Sequence, residues 1–145
     1  TPHPQLNPPT RGNLPLSHKH MFELKLTYKF SAAHRLENLP EGHKCRRLHG
    51  HNYEVALFVR DEFLTGAGFV VDAGEVDELM EGVVSELDHN SLNEVLEQPS
   101  SERLAEWLFW RLVGMSEELE SKLFAVEVRE TDKILARFEV AVSQQ

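Results

Sequence analysis

The sequence predicts an α+β domain, a mostly antiparallel four-stranded sheet with two helices on one face. Three observations predict it. Four segments alternate apolar and polar residues with period two, the mark of a strand with one buried face. Two segments repeat apolar residues at helical spacing. Their order is strand, strand, helix, helix, strand, strand, so the helices pack together on one side of the sheet.

Residues 1–20 hold five of the seven prolines and little apolar periodicity, and read as a flexible tail before a single domain spanning 21–145. His3, His18 and His20 in this tail carry little weight as ligands. The first strand is set by Phe22, Leu24, Leu26, Tyr28 and Phe30, alternating with Glu23, Lys25, Thr27 and Lys29. Residues 34–48, with Pro40-Glu41-Gly42 and many charges, form a long loop. His51, Tyr53, Val55, Leu57 and Val59 share one face of the second strand. Gly66 and Gly68 mark a turn. Val76, Leu79, Met80, Val83 and Leu87 make the stripe of the first helix. Ser100 is the expected N-cap of the second helix, whose stripe is Leu104, Ala105, Leu108 and Leu112. Phe124, Val126 and Val128 share a face of the third strand. A Thr131-Asp132-Lys133 turn leads to the fourth strand, with Ile134, Ala136, Phe138 and Val140. Four strands leave two sheet edges to protect, which points to oligomerisation through them.

The 145 residues suffice for one domain with a real core, and 41% hydrophobic with 27% charged residues is ordinary for a globular chain. No apolar run is long enough to span a bilayer and no signal-peptide pattern opens the chain. The single cysteine excludes an internal disulfide and suits a reducing compartment, so the expected location is cytoplasmic. A formal net charge of −9 disfavours a general nucleic-acid binder. Against it, Arg35, Lys44, Arg46 and Arg47 cluster locally, as a solvated basic loop or as an anion site for a phosphorylated substrate.

The chemistry concentrates around that cluster. His49 and His51 flank Gly50, and on a strand both imidazoles project from one face, with Cα atoms about 6.6 Å apart. Gly50 is expected to let the backbone turn or approach closely. His34 lies just past the expected end of the first strand, and a long hairpin would bring it beside the pair. Three neutral imidazoles with a vacant fourth position define a catalytic zinc centre, whereas four protein ligands define a structural one. Cys45 is either that fourth ligand or a separate base, and its neighbours Lys44, Arg46 and Arg47 favour the thiolate a base requires. Asp88 and His89 follow the first helix, either as a carboxylate-oriented imidazole or as a polar helix end. Glu130 continues the core-facing parity of the third strand. A buried carboxylate there needs a cation or a ligand with two adjacent N–H donors, such as the 2-aminopyrimidinone edge of a pterin or guanine.

The segments Phe30-Ser31-Ala32-Ala33-His34, Glu41 to His51, Gly68-Phe69-Val70-Val71-Asp72, Leu87-Asp88-His89-Asn90, Pro99-Ser100-Ser101-Glu102 and Glu130-Thr131 occur in this order. Together they resemble the 6-pyruvoyl-tetrahydropterin synthase family over roughly residues 22–140, most closely its bacterial, carboxy-forming branch. Arg46, where a small residue is common, and the Thr131-Asp132-Lys133-Ile134 segment depart from that branch. The resemblance implies the tunnelling fold, with sheets joined into an oligomeric barrel, active sites between subunits and a homohexamer built as a dimer of trimers. It implies Zn2+ on His34, His49 and His51, and Cys45 as general base. It implies Asp88 with His89 as a second proton-transfer unit, and Glu130 as pterin anchor, helped by Ser100, Ser101 and Thr131. The implied activity is a zinc-dependent lyase of queuosine biosynthesis. It would convert 7,8-dihydroneopterin triphosphate to 6-carboxy-5,6,7,8-tetrahydropterin, releasing acetaldehyde and triphosphate. The alternatives are a pyruvoyl-forming enzyme of the same fold and a non-catalytic zinc-binding protein with Cys45 as fourth ligand.

Overall fold

A computed structural model describes residues 20–141; the proline-rich segment expected over 1–20 lies outside them, apart from His20. The elements are β1 (Phe22–His34), β2 (His49–Asp61), α1 (Ala73–Leu87), α2 (Ser101–Met115), α3 (Glu117–Lys122), β3 (Leu123–Arg129) and β4 (Leu135–Glu139), with 3-10 turns at Lys44–Arg46 and Leu92–Glu94. The sheet is antiparallel throughout, in the order β1-β2-β3-β4. No helix among the described residues is long and apolar enough to cross a membrane.

β1 and β2 form the long hairpin, in register from Phe22 opposite Asp61 to His34 opposite His49. β1 therefore runs four residues beyond the alternating stretch that predicts it. Ser31 to His34 lack the apolar alternation, but they pair with β2 on one side and meet residues 89–91 on the other. Because partners across a ladder share a face, Phe30, Ala32 and His34 lie on the same side as Tyr53, His51 and His49. This side is covered by the helices. Val55, Leu57, Val59, Val126 and Val128 are buried here against Met80, Leu87, Leu104, Leu108 and Leu112.

The helices begin where short polar side chains accept the first free backbone donors. Asp72 accepts from the Gly74 N–H, and Ser100 accepts from the Arg103 N–H as the sequence predicts. α3 is not predicted. Its single turn and a half is too short for a periodic stripe, and Ser116 starts it by accepting from the Leu119 N–H. Gly68 closes the turn that Gly66 and Gly68 predict, its N–H donating to the Thr65 carbonyl, with φ +89°, a conformation that favours glycine. Leu108 is fully buried on α2, so Leu108→Ala is expected to lower unfolding free energy by about 2–5 kcal/mol in a denaturant titration.

One face assignment is corrected. Phe124 is not on the core side with Val126 and Val128. The register of β3 against β2 slips between Phe58 and Val59, pairing Val59 with Leu123 and leaving Phe124 unopposed. Leu123 takes the inner position, while Phe124 packs with Ala56, Phe58 and Ala125 on the opposite side. Arg60 lies 4.2 Å over the Phe124 ring, and Arg137 4.6 Å over the Phe58 ring.

Candidate metal centre

The hairpin register brings the three predicted imidazoles together. One ring nitrogen of each of His34, His49 and His51 lies within 4.8 Å of the others, and this is the only such donor group among the described residues. Nε2 of His34 and Nε2 of His49 are 3.0 Å apart. His34 is fully buried, and His49 and His51 are half-buried. Gly50 serves no close approach here. A Cβ at this position would meet the Ala32 carbonyl at an ordinary 3.5 Å.

Two backbone carbonyls decide which nitrogens face inward. His34 Nδ1 donates to the Pro99 carbonyl at 2.7 Å, and His49 Nδ1 donates to the Arg47 carbonyl at 2.7 Å. A carbonyl only accepts, so each Nδ1 carries a ring proton, and the Nε2 left facing inward is the nitrogen that can offer a lone pair to a metal. His51 Nε2 is buried without a hydrogen-bond partner. Burial holds the His51 imidazole below its ordinary pKa; Glu130 opposes this, and the two neighbouring rings reinforce it. Two Nδ1 atoms held by carbonyls and an orphaned buried nitrogen fit a divalent cation, and the carbonyls are the outer partners that orient metal-binding histidines.

No fourth donor joins the three imidazoles among the described residues. Cys45 is not in the donor group. It sits half-buried on the Lys44–Arg46 turn, where its N–H donates to His43 Nδ1 and its carbonyl accepts from the Leu36 N–H. Glu130, one residue past β3, places Oε1 3.3 Å from His34 Nε2 and 3.4 Å from His51 Nε2. Its side chain is 13% exposed, and its ion-pair partners among the described residues are these histidines, not a lysine or arginine.

Asp88 and His89 form a direct pair, Oδ2 to Nδ1 at 3.0 Å. Ser31 fixes both: its N–H donates to Asp88 Oδ1 at 2.9 Å, and its carbonyl accepts from the His89 N–H at 2.6 Å. His89 has φ +59°, a left-handed conformation that is uncommon for a residue with a Cβ and costs some backbone strain. Its side chain is exposed, and with His51 and Leu48 it lines an open cleft of about 540 Å³. The Ser31 N–H, then the His89 ring, hold the Asp88 carboxyl below the ordinary carboxylate range. With the folded pKa below the unfolded one, the stabilisation is complete above the unfolded value and is lost as pH falls through the folded value. Asp88→Asn is therefore expected to flatten the acid limb of the melting-temperature profile below about pH 4, measured by thermal unfolding in parallel with the unmodified chain.

The remaining predicted contacts divide. The Ser100 hydroxyl accepts the α2 cap bond. The Thr131 hydroxyl accepts from the Lys133 and Ile134 N–H groups and closes the β3–β4 turn. Ser101 is 4% exposed, and its hydroxyl has no hydrogen-bond partner. In the basic cluster, Arg35 pairs with Glu37 and Arg46 donates to the Leu39 carbonyl, while the Lys44 and Arg47 side chains are exposed. The sequence reading misses Tyr53, buried with its hydroxyl 3.4 Å from His34 Nδ1. Its parity, two residues after His51, is the signal that finds it. The Pro99 and Arg47 carbonyls leave no side-chain signal at all.

Known proteins resemble this chain in sequence and in fold. A family model described as 6-pyruvoyl tetrahydropterin synthase matches residues 23–141. The 6-carboxy-5,6,7,8-tetrahydropterin synthase of Synechocystis sp. is 39% identical over 118 residues, covering 77% of this chain and 88% of that protein. The enzyme of that name from Bacillus subtilis is 32% identical, covering 79% and 82%. Among solved structures, Caenorhabditis elegans 6-pyruvoyl tetrahydropterin synthase superposes with a TM-score of 0.75 at 27% identity, covering 84% of this chain and 97% of that one.

Proposed function

The chain belongs to the 6-pyruvoyl tetrahydropterin synthase family, and from that premise we propose that it converts 7,8-dihydroneopterin triphosphate and water to 6-carboxy-5,6,7,8-tetrahydropterin, acetaldehyde and triphosphate. The observation that carries this reading is the convergence of three imidazoles, two of them carbonyl-oriented, beside a half-buried carboxylate, in a chain similar to enzymes named for that product. His34, His49 and His51 would hold Zn2+, which as a Lewis acid acidifies protons next to the oxygens it binds.

The chain's own residues supply the rest. The Glu130 carboxylate accepts two parallel N–H bonds from the 2-amino-4-oxo edge of the ring. The unpartnered Ser101 hydroxyl beside Pro99 offers one further bond to the ring, and Ser100 and Thr131 hold the two backbone turns that frame it. Cys45 removes a side-chain proton as thiolate, and His89, oriented by Asp88, returns one. Lys44 and Arg47 attract the triphosphate. The reading includes a cytoplasmic homohexamer. It is supported by the free thiol, by β1 and β4 as sheet edges, and by the exposed Met21, Phe22 and Leu135.

The decisive experiment incubates the zinc-loaded full chain with 7,8-dihydroneopterin triphosphate and identifies the pterin and any aldehyde. One acetaldehyde per 6-carboxy product is expected. Triphosphate release with a 6-pyruvoyl product and no acetaldehyde would establish the pyruvoyl-forming reading, which the Thr131-Asp132-Lys133-Ile134 segment favours. Zinc binding without any pterin turnover would leave a non-catalytic metal protein.

A further inference from the structure

Residues 35–46 leave β1 directly after His34 and carry Cys45 back toward β2. The loop they form is held largely to itself. The His43 N–H donates to the Pro40 carbonyl, the Arg46 guanidinium to the Leu39 carbonyl, and the Leu36 N–H to the Cys45 carbonyl at 2.8 Å. From outside it, two side chains among the described residues meet its backbone. Gln98 Oε1 accepts from the Asn38 N–H at a long 3.4 Å. Asn93 grips harder. Its Oδ1 accepts from the Arg35 N–H at 2.9 Å, and its Nδ2 donates to the Arg35 carbonyl at 2.8 Å. A backbone N–H only donates and a carbonyl only accepts, so the orientation of the amide is fixed by its partners.

Asn93 stands on a firm base. It is half-buried in the Leu92–Glu94 turn, and Leu92 is fully buried in the core. The segment leading to it is strapped along the end of β1. The Ala33 N–H donates to the Asn90 carbonyl at 3.0 Å, and Ala33 bridges to Ser91. The same segment carries Asp88 and His89. Residues 88–93 therefore hold one proposed proton-transfer group at their start, and at their end the root of the loop that bears the other.

We propose that Asn93 is a positioning residue for Cys45, an inference that rests on the reading of Cys45 as the base. Asn93 fixes the peptide groups on both sides of Arg35, and the next N–H, that of Leu36, holds the Cys45 carbonyl. His43 Nδ1, on the same loop, accepts from the Cys45 N–H. Cys45 is thus set through its backbone, and the outside reference for that backbone is the Asn93 amide. Without it, Leu36 and Cys45 stay bonded to each other but shift together relative to the imidazoles.

The test compares the zinc-loaded full chain with Asn93→Ala and Asn93→Asp in two measurements. One is steady-state turnover of 7,8-dihydroneopterin triphosphate. The other is the rate at which iodoacetamide alkylates Cys45, the single thiol of the chain. Asn93→Ala is expected to lower kcat by about 10²-fold, the cost of misplacing a reacting group by about 1 Å, with little change in KM or metal content. Alkylation is expected to speed up as the half-buried thiol gains access. Asn93→Asp keeps the shape of the side chain and the bond from the Arg35 N–H, but it sets a carboxylate oxygen against the Arg35 carbonyl. Both effects are expected there in the same direction, so the test stands even if Asn93→Ala does not fold. Unchanged kcat in both variants, or a fallen kcat with Cys45 alkylated at the unmodified rate, overturns the proposal. If the unmodified chain turns over no pterin, the proposed function fails and the alkylation rates decide alone. Faster alkylation in the variants would then uphold Asn93 as the hold on the thiol, and equal rates would end it.

Discussion

His34→Ala is expected to abolish turnover, lower metal affinity by more than about 100-fold and destabilise the fold, because this ring serves the metal site with one nitrogen and the Pro99 carbonyl with the other. Changes to residues that only orient a metal ligand cost about 10–100-fold in affinity, so loss of the ligand itself lies beyond that range. Truncation also strands the Pro99 carbonyl at the start of α2, where an unsatisfied buried acceptor costs about 1–3 kcal/mol. His34→Asn separates the two effects. Its amide nitrogen can replace Nδ1 as donor to Pro99, but it offers nothing at the position of Nε2. Stability should recover in His34→Asn while metal content, measured on the purified chain by elemental analysis, should not. Equal metal content in all three chains would refute the trio as the metal site.

Cys45→Ala is expected to lower turnover by about 10²–10⁴, the usual worth of a positioned acid or base, with metal content and melting temperature nearly unchanged. The structural argument for the second half is specific. Cys45 holds its turn through backbone groups, the N–H to His43 and the carbonyl to Leu36, and alanine keeps both. Its sulfur is outside the donor group, so the metal loses nothing. Steady-state kinetics with elemental analysis checks both parts. Loss of metal in Cys45→Ala would instead support the thiol as ligand.

Much of this site is legible in the chain because strand parity carries side chains to a predictable face. His49, His51, Tyr53, Val55 and Leu57 share the inner face by period two, and Glu130 continues that face from Val126 and Val128. His34 follows once the hairpin register is known. What parity cannot give is anything that depends on counting across an irregularity. Phe124 has the right parity and the wrong face, because one unopposed residue near the start of β3 resets the count. Backbone acceptors are equally silent, since Pro99 and Arg47 act through carbonyls that every residue has. The 89–91 segment meets the end of β1 through main-chain bonds and the left-handed turn at His89, which no composition signal marks. The distance from Glu130 to the histidines is likewise beyond the sequence, which fixes the side of the sheet but not the reach of the side chain.

The pairing of His34 with His49 has a consequence for how such chains can change length. Both residues are held by ladder bonds, so the excursion between them can lengthen or shorten while its two ends stay in place; the entropic cost of extra loop rises only slowly. Within β2 the tolerance is the reverse. Deleting one residue there would rotate every later side chain to the other surface, exchanging Val55, Leu57 and Val59 for Ala56, Phe58 and Arg60, whose sizes and charge do not match that core. Variation in substrate reach among related proteins should therefore accumulate between residues 35 and 48, while indels inside the two paired strands should be purged.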